Sequence, residues 1–411
     1  MKMSSMRLAD RWLGIPVCAL LTTLRRLAEP RGRTAQEPPG RVVIVKLAEQ
    51  GSTVLAYRAL RKAVARFGRE NVFFVAFAEN RFILDAMGVI PVENVVAIQT
   101  SSLAAVIRGA LGAVRRLRRA GVDAAVDFEF FSRASAALCY LSGARIRVGF
   151  HAFGQEAAWR GDLMSHRLSY NPHLHTSDTF AVMVAALDAD PAVLPAIGVS
   201  ATEDEAPLPQ WRATTEDLRR VRALILEGAS RPEWPRIVLL NANCSDLVPL
   251  RRWPSERYLE LARRLLSTYP DVRIAFTGAA AEAPQVSALV ETLGSTRCLN
   301  LAGRTTFGEL LTLYAVSEVL VSNDSGPAHF AMLTPIQVVT LFGPETPALY
   351  GARSPRNHIV WAGLPCSPCV NAYNDRLSGC RNNLCMQAIS VEEVFRKVCR
   401  LLDGSERTPT S

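Results

Sequence analysis

Short runs of β-branched and other apolar residues alternate with longer amphipathic stretches along most of this chain, and turn-forming residues close each run. Residues 41–47 (RVVIVKL) make the first run, followed by 72–77, 95–98, 124–128 and 147–150. Between them, apolar positions recur at helical spacing over 53–67, 81–87, 103–119 and 132–141. Runs without a polar face are strands buried on both sides, and the helices between them are the crossovers that parallel pairing needs. The pattern predicts an α/β fold: an open parallel sheet with helices on both faces.

The alternation lapses over 155–175, an irregular stretch containing His and aromatic residues, before a helix at 177–187. Residues 188–211 are rich in Ala, Pro and acids and read as an interdomain region. The pattern restarts at 237–240 and continues through a helix at 253–269, a strand at 272–277, a helix at 284–293, a strand at 299–301 and a helix at 307–314. The expected organisation is a basic amphipathic segment and linker (1–40), an N-terminal domain (41–200) and a C-terminal domain (201–411). A chain of 411 residues accommodates two such cores.

Two closing runs carry the clearest chemistry. Residues 316–321, apolar but for Ser317 and Glu318, stop at Asn323-Asp324-Ser325-Gly326-Pro327, and 336–342 stop at Gly343-Pro344. Both read as parallel strands delivering loops to one sheet edge. Residues 327–333 can form a short helix with Ser325 or Asp324 as its cap, its free N–H groups aimed beyond the strand ends. That arrangement suits a phosphate or pyrophosphate. A strand–turn–helix corner with a capping Asp accounts for each feature singly; their combination is more specific.

Hydrophobic content of 49% with 21% charged residues excludes global disorder. The net charge of +9 is carried mainly by Arg. These residues are scattered along helices such as 103–119 rather than interleaved with aromatics, which speaks against nucleic acid and for anionic partners such as sugar nucleotides or an acidic membrane face. No apolar stretch reaches spanning length. Residues 12–24, flanked by Arg7, Arg11, Arg25 and Arg26, lack an A-x-A-like cleavage site and read as an amphipathic helix, docked on the fold or on a membrane.

Four of the nine cysteines cluster as C-x2-C-x10-C-x4-C at Cys366, Cys369, Cys380 and Cys385. The spacing is compatible with a structural Zn site, with an iron–sulfur cluster or two disulfides as alternatives, and its expected role is to clamp the C-terminal segment. His173 and His175 form an H-x-H without a nearby carboxylate, in a region that also holds His151, His166, Arg145, Arg147, Arg160 and Arg167. Those arginines read either as contacts for an anionic acceptor or as part of a solvated loop.

Asp324, Ser325, Gly326 and His329, followed by Phe342-Gly343-Pro344, resemble the D-[ST]-G-x-x-H…F-G-P signature of the bacterial heptosyltransferases, glycosyltransferase family 9. The resemblance extends from about residue 41 to about residue 400. It implies the GT-B fold, two Rossmann-like domains facing a central cleft, and transfer of a heptose from ADP-heptose to a lipopolysaccharide-core or related glycan, with inversion. It further implies that Arg252, in Arg252-Trp253-Pro254, approaches the donor phosphates, where the family commonly has Lys. By the same likeness Gly278 closes the strand at 272–277, Glu282 contacts the ribose, and Asn300-Leu301-Ala302-Gly303 with Thr305 borders the base. No catalytic metal is required, and the expected setting is cytoplasmic, with peripheral contact at the inner membrane.

The N-terminal half departs from the family. Where the family has G-D, with the Asp as base, this chain has Gly51-Ser52. A serine hydroxyl cannot take a proton at neutral pH unaided. Glu49, on the same loop, reads as either a relocated base or a helix cap, and Asp127 and Glu129 are the other candidates. Two further readings stand beside the transferase: a sugar-nucleotide or glycan-binding protein that lost its base, and a nucleotide-dependent epimerase or dehydrogenase. The second lacks G-x-G-x-x-G after the first strand.

Overall fold

A computed structural model describes residues 3–29, 38–154, 156–191, 207–228, 234–244 and 248–404. The chain divides into two compact units, Met1–Pro207 with Asn371–Arg376, and Leu208–Val370 with Leu377–Ser411. The expected domain boundary at 200/201 lies outside the described residues, as do 30–37 of the first linker, 192–206 of the interdomain region, and Gln155.

In the first unit, α1 (Met3–Trp12) and α2 (Gly14–Ala28) precede β1 (Val42–Val45), which leads to α3 (Gln50–Leu55) and α4 (Tyr57–Phe67). Then come β2 (Val72–Phe77), α5 (Arg81–Met87), β3 (Val95–Ile98), α6 (Leu103–Arg119) and β4 (Ala124–Asp127). The unit closes with α7 (Arg133–Leu141), β5 (Ile146–Phe150), β6 (His166–Leu168) and α8 (Thr176–Ala185). Its strands are parallel, in the order β3-β2-β1-β4-β5-β6. All of β1 is buried, which explains its unbroken apolar sequence. Two details differ from expectation. The helix expected over 53–67 begins at Gln50 and is interrupted at Ala56, and the irregular stretch contains the edge strand β6.

The second unit opens with α9 (Thr215–Leu226), then β7 (Arg236–Asn241), α10 (Ser255–Thr268), β8 (Val272–Phe276), α11 (Ala283–Leu293) and β9 (Cys298–Asn300). It continues through α12 (Phe307–Ala315), β10 (Val319–Asn323), α13 (Gly326–Phe330), β11 (Gln337–Phe342) and α14 (Pro347–Tyr350). The last elements are β12 (Asn357–Trp361), α15 (Leu384–Gln387) and α16 (Val391–Leu402). Its parallel order, β12-β11-β10-β7-β8-β9, is the same topology as in the first unit. A core of Val238, Leu240, Tyr258, Phe276, Val321, Leu341 and Val398 joins strands to α10 and α16. α9, α14, β12, α15 and α16 add to the elements expected from the sequence.

Both units therefore have the doubly wound order in which ligands bind beyond the strand ends where the winding reverses. In the first unit that point lies between β1 and β4, and in the second between β7 and β10.

Candidate functional site

The end of β10 is held by one side chain. Asn323 Oδ1 accepts from the Trp253 amide at 3.0 Å and the Tyr258 hydroxyl at 3.2 Å, while its Nδ2 donates to the Asn243 carbonyl at 3.1 Å. Asp324 follows, buried, with its amide donating to Leu341 O at 2.9 Å. Ser325 occupies the N-cap position of α13 but does not cap it. Its hydroxyl donates to Asn323 O at 3.1 Å, so the expected side-chain cap gives way to a bond back to the strand end. A Cβ on Gly326 would stand 2.8 Å from the tip of the Phe330 ring, which lies close over the turn. His329 is buried with Nε2 4.0 Å from Asp324 Oδ1.

The arginine that engages Asp324 is Arg251, which the sequence reading passed over. Its Nη1 donates to Asp324 O at 3.2 Å, its Nε lies 3.6 Å from Asp324 Oδ2, and its Nη2 lies 2.5 Å from Glu345 Oε1. Glu345 is buried directly after the Phe342-Gly343-Pro344 turn. Arg252 is half-buried, and its Nε has no hydrogen-bond partner among the described residues. The two neighbours differ in what they face: Arg251 neutralises buried carboxylates, and Arg252 lies against the Cys244 thiol.

Around the ends of β8 and β9, Gly303 N donates to Gly278 O at 2.9 Å, closing two loops together. Gly303 has φ +71°, and a Cβ there would stand 2.6 Å from Ala280 Cα. Glu282 turns its carboxylate back to accept from Ala279 N at 2.7 Å. The side chain of Asn243 is buried beside Gly278, and neither of its polar atoms has a hydrogen-bond partner among the described residues. A buried amide left unsatisfied costs about 1–3 kcal/mol, which makes Asn243 a ligand-contact candidate that no motif announced.

In the first unit, Glu49 stands just past β1 with φ +67°, a left-handed conformation that costs a non-glycine residue about 1–3 kcal/mol. Its side chain makes no cap hydrogen bond. Instead the carboxylate meets Arg376 Nη1 at 2.5 Å, Ser52 Oγ at 3.3 Å and the buried Lys46 Nζ at 3.9 Å. The cap reading thus gives way to a charged cluster. Glu129 joins it, 3.8 Å from Lys46 and accepting from Ala48 N at 2.8 Å. Burial pushes the Glu129 carboxyl above its ordinary value, with Lys46 opposing and Glu49 adding to the rise.

Asp127 does not belong to this cluster. Its side chain is 0% exposed and bonded to Arg160 Nη1 at 2.6 Å, Ser135 Oγ at 2.9 Å and Glu129 N at 3.1 Å, whereas that of Glu49 retains 18% exposure. So enclosed, the Asp127 carboxylate serves here as the partner of Arg160. The four arginines read either as acceptor contacts or as part of a solvated loop each have an acidic neighbour. Arg147 and Arg160 are buried in pairs with Glu29 and Asp127, and Arg145 and Arg167 lie 3.8 and 3.4 Å from Asp123 and Asp162. His175 Nδ1 accepts from Ser177 N at the start of α8, and His166 bonds Ser165 and Ala189 O, so neither is arranged as a metal ligand.

The sequence model of glycosyltransferase family 9 (heptosyltransferase) matches residues 111–378. The chain belongs to this family. A curated member, lipopolysaccharide heptosyltransferase 2 of Escherichia coli K12, is 34% identical over 104 residues, a stretch covering 25% of this chain and 30% of that relative. The solved structure of E. coli ADP-heptose lipopolysaccharide heptosyltransferase II matches with a TM-score of 0.67 and 19% identity, covering 89% of this chain and 100% of that one. An iron-containing dodecameric glycosyltransferase from enterotoxigenic E. coli matches with a TM-score of 0.53 and 11% identity, over 90% of this chain and 78% of that one. The two Rossmann-like units of this family 9 chain are thus those of the GT-B fold.

In this family 9 protein the cysteine-rich segment packs on the signature turn. Cys369 N donates to Pro344 O at 2.9 Å, Ser367 Oγ bonds Gly343 O, and a Cβ on Gly343 would meet Met386 and Cys385. Asn383 Nδ2 reaches Arg252 O at 2.9 Å. Cys366 is exposed, Cys369 and Cys380 half-buried, and Cys385 buried. Burial pushes the Cys385 thiol up, and the nearby Cys369, Cys380 and Cys366 add to the effect. Among the described residues, no group of three or more His, Cys, Asp or Glu side chains is arranged to hold a metal ion.

Proposed function

We infer that this protein is an inverting glycosyltransferase that moves a heptose or related sugar from a nucleotide-diphosphate sugar, ADP-heptose by family likeness, to a lipopolysaccharide-core or other cell-envelope glycan. The observation that carries this reading is the Asp324–His329 turn with Arg251 and Arg252 beside it, where the winding of the second unit reverses. In this reading the second unit holds the donor and the first unit the acceptor, and the protein works at the periphery of a membrane that carries the acceptor. No described helix is long and apolar enough to cross a bilayer.

Glu49 is the base that takes the proton of the acceptor hydroxyl; Ser52 and Lys46 orient it. A carboxylate offers about four acceptor positions, so one engaged by Arg376 and Ser52 can still take a proton. Arg252 and the backbone N–H groups around Ser325 and Gly326 stabilise the departing diphosphate. A panel of sugar nucleotides offered with a delipidated core acceptor, with the product's anomeric configuration read by NMR, tests the reading. Donor binding without transfer would favour a sugar-nucleotide-binding protein.

Donor affinity separates the two arginines. Arg252→Ala should weaken nucleotide-sugar binding by about 1.5–3 kcal/mol, one to two decades, at unchanged stability. Arg251→Ala should lower stability as well, because it removes the ion pair to the buried Glu345. Calorimetry and urea unfolding check both, and unchanged affinity in Arg252→Ala removes that residue from the site.

The four clustered cysteines, which are not gathered round a common point in this structure, are proposed from their spacing alone to close on a structural ion that clamps their segment against the Gly343-Pro344 turn. Elemental analysis of protein purified under reducing conditions should find about one equivalent of Zn, or of iron with visible absorbance. Four titratable thiols and neither metal would refute the clamp and leave the transferase reading intact.

A further inference from the structure

We propose that the outer face of α1, α2 and α6 in the first unit is a docking surface for an anionic lipid bilayer. The proposal deepens the membrane-periphery part of the proposed function by naming the surface and the lipid chemistry it fits.

α2 buries only Cys18, Leu21 and Thr22, a narrow seam against α7. Leu13, Val17, Leu20, Leu24 and Leu27 recur at alternating steps of four and three residues, which places them along one face, roughly opposite that seam. All five are exposed, Leu20 to 61% and Leu27 to 78%, and Trp12 beside them to 69%. The outward face of a surface helix is ordinarily polar. Here the usual arrangement is inverted.

α6 continues the pattern. α2, α6 and α7 cover the same face of the sheet, since Cys18, Leu21, Ala113, Leu117, Ala136 and Cys139 share one core. On its outer side α6 exposes Leu103, Ile107 and Leu111 at four-residue steps, beside exposed Arg108, Arg115 and Arg119.

Charge selects the occupant. Neither α2 nor α6 contains an acid. The acids that border them are engaged internally: Asp10 accepts from the amides of Arg133 and Ala134, Glu29 pairs with Arg147 at 2.6 Å, and Asp162 with Arg25 at 2.8 Å. A second copy of this chain would bring arginine against arginine. An anionic bilayer instead takes the leucines and Trp12 into its interface and the arginines against its phosphates.

The test uses the full chain, its Leu20→Glu/Leu24→Glu variant, and vesicles of phosphatidylethanolamine with phosphatidylglycerol, or of phosphatidylcholine alone. The parent should float with the anionic vesicles and release with salt, while remaining free of the neutral ones. The variant, with an unchanged thermal midpoint, should bind about tenfold more weakly or less, since each leucine withdrawn forfeits apolar burial. Equal flotation of parent and variant overturns the proposal, as does failure of the parent to bind anionic vesicles. A parent that is dimeric by light scattering without lipid, beside a monomeric variant, overturns it in favour of self-association. Transfer to a delipidated acceptor is assayed alongside: vesicle binding without transfer defeats the activity alone, and transfer without vesicle binding defeats the surface alone.

Discussion

Glu49→Gln is expected to keep donor affinity and to lose transfer by about 10²–10⁴, the usual contribution of a general base. The substitution preserves shape and Ser52 Oγ as a neighbour while removing the atom that accepts the proton. It also leaves Arg376 and Lys46 facing an amide, so stability is measured with the rate. Ser52→Asp in the same chain should restore part of the rate. Ser52 Oγ lies 3.3 Å from Glu49 Oε2, and a carboxylate at position 52 enters the same charged cluster. A Glu49→Gln protein that transfers as fast as its parent transfers the assignment to Glu129, whose carboxylate shares Lys46. The left-handed backbone at Glu49 adds weight to the expectation. Strain persists only where surrounding structure holds it, and here the carboxylate's pairing with Arg376 does so.

That pairing also shows what a sequence can and cannot disclose. Strands such as Val72–Phe77 are legible as unbroken apolar runs, and helices such as Leu103–Arg119 by a local period of burial. β6 is not, since three residues, two of them polar, carry no period. The Asp324–Gly326 turn is legible because a run of β-branched residues ends abruptly in residues that suit a loop. Arg376, by contrast, reaches Glu49 from the far end of the chain. The division between Arg251 and Arg252 is hidden for a related reason: adjacent identical side chains differ only in what the fold places opposite them. Asn323 and Asn243 likewise acquire meaning from buried geometry, the first by its side chain's three hydrogen bonds and the second by a side chain with no partner among the described residues.

Asp127 is the sharpest case, because a carboxylate at a strand end in the first unit reads as catalytic until its partner is seen. Asp127→Ala should lower stability by about 3–5 kcal/mol in urea unfolding, since it leaves the buried Arg160 guanidinium uncompensated. Burial holds the Asp127 carboxyl above its ordinary value of 3.8, with Arg160 opposing. A raised acid means that the native state binds the proton more tightly than the unfolded chain. Its own titration therefore favours the fold below 3.8, and that contribution is lost as pH rises through the folded value. The cost of the single substitution lies in the orphaned arginine. Asp127→Ala/Arg160→Met should accordingly recover most of the loss, because a buried ion pair replaced by apolar groups of similar volume is often neutral. If the double variant is as unstable as the single one, the packing and the hydrogen bonds of Ser135 and Phe150 O, rather than charge, hold this end of the sheet. If Asp127→Ala keeps full stability and loses transfer alone, the residue returns to the catalytic candidates.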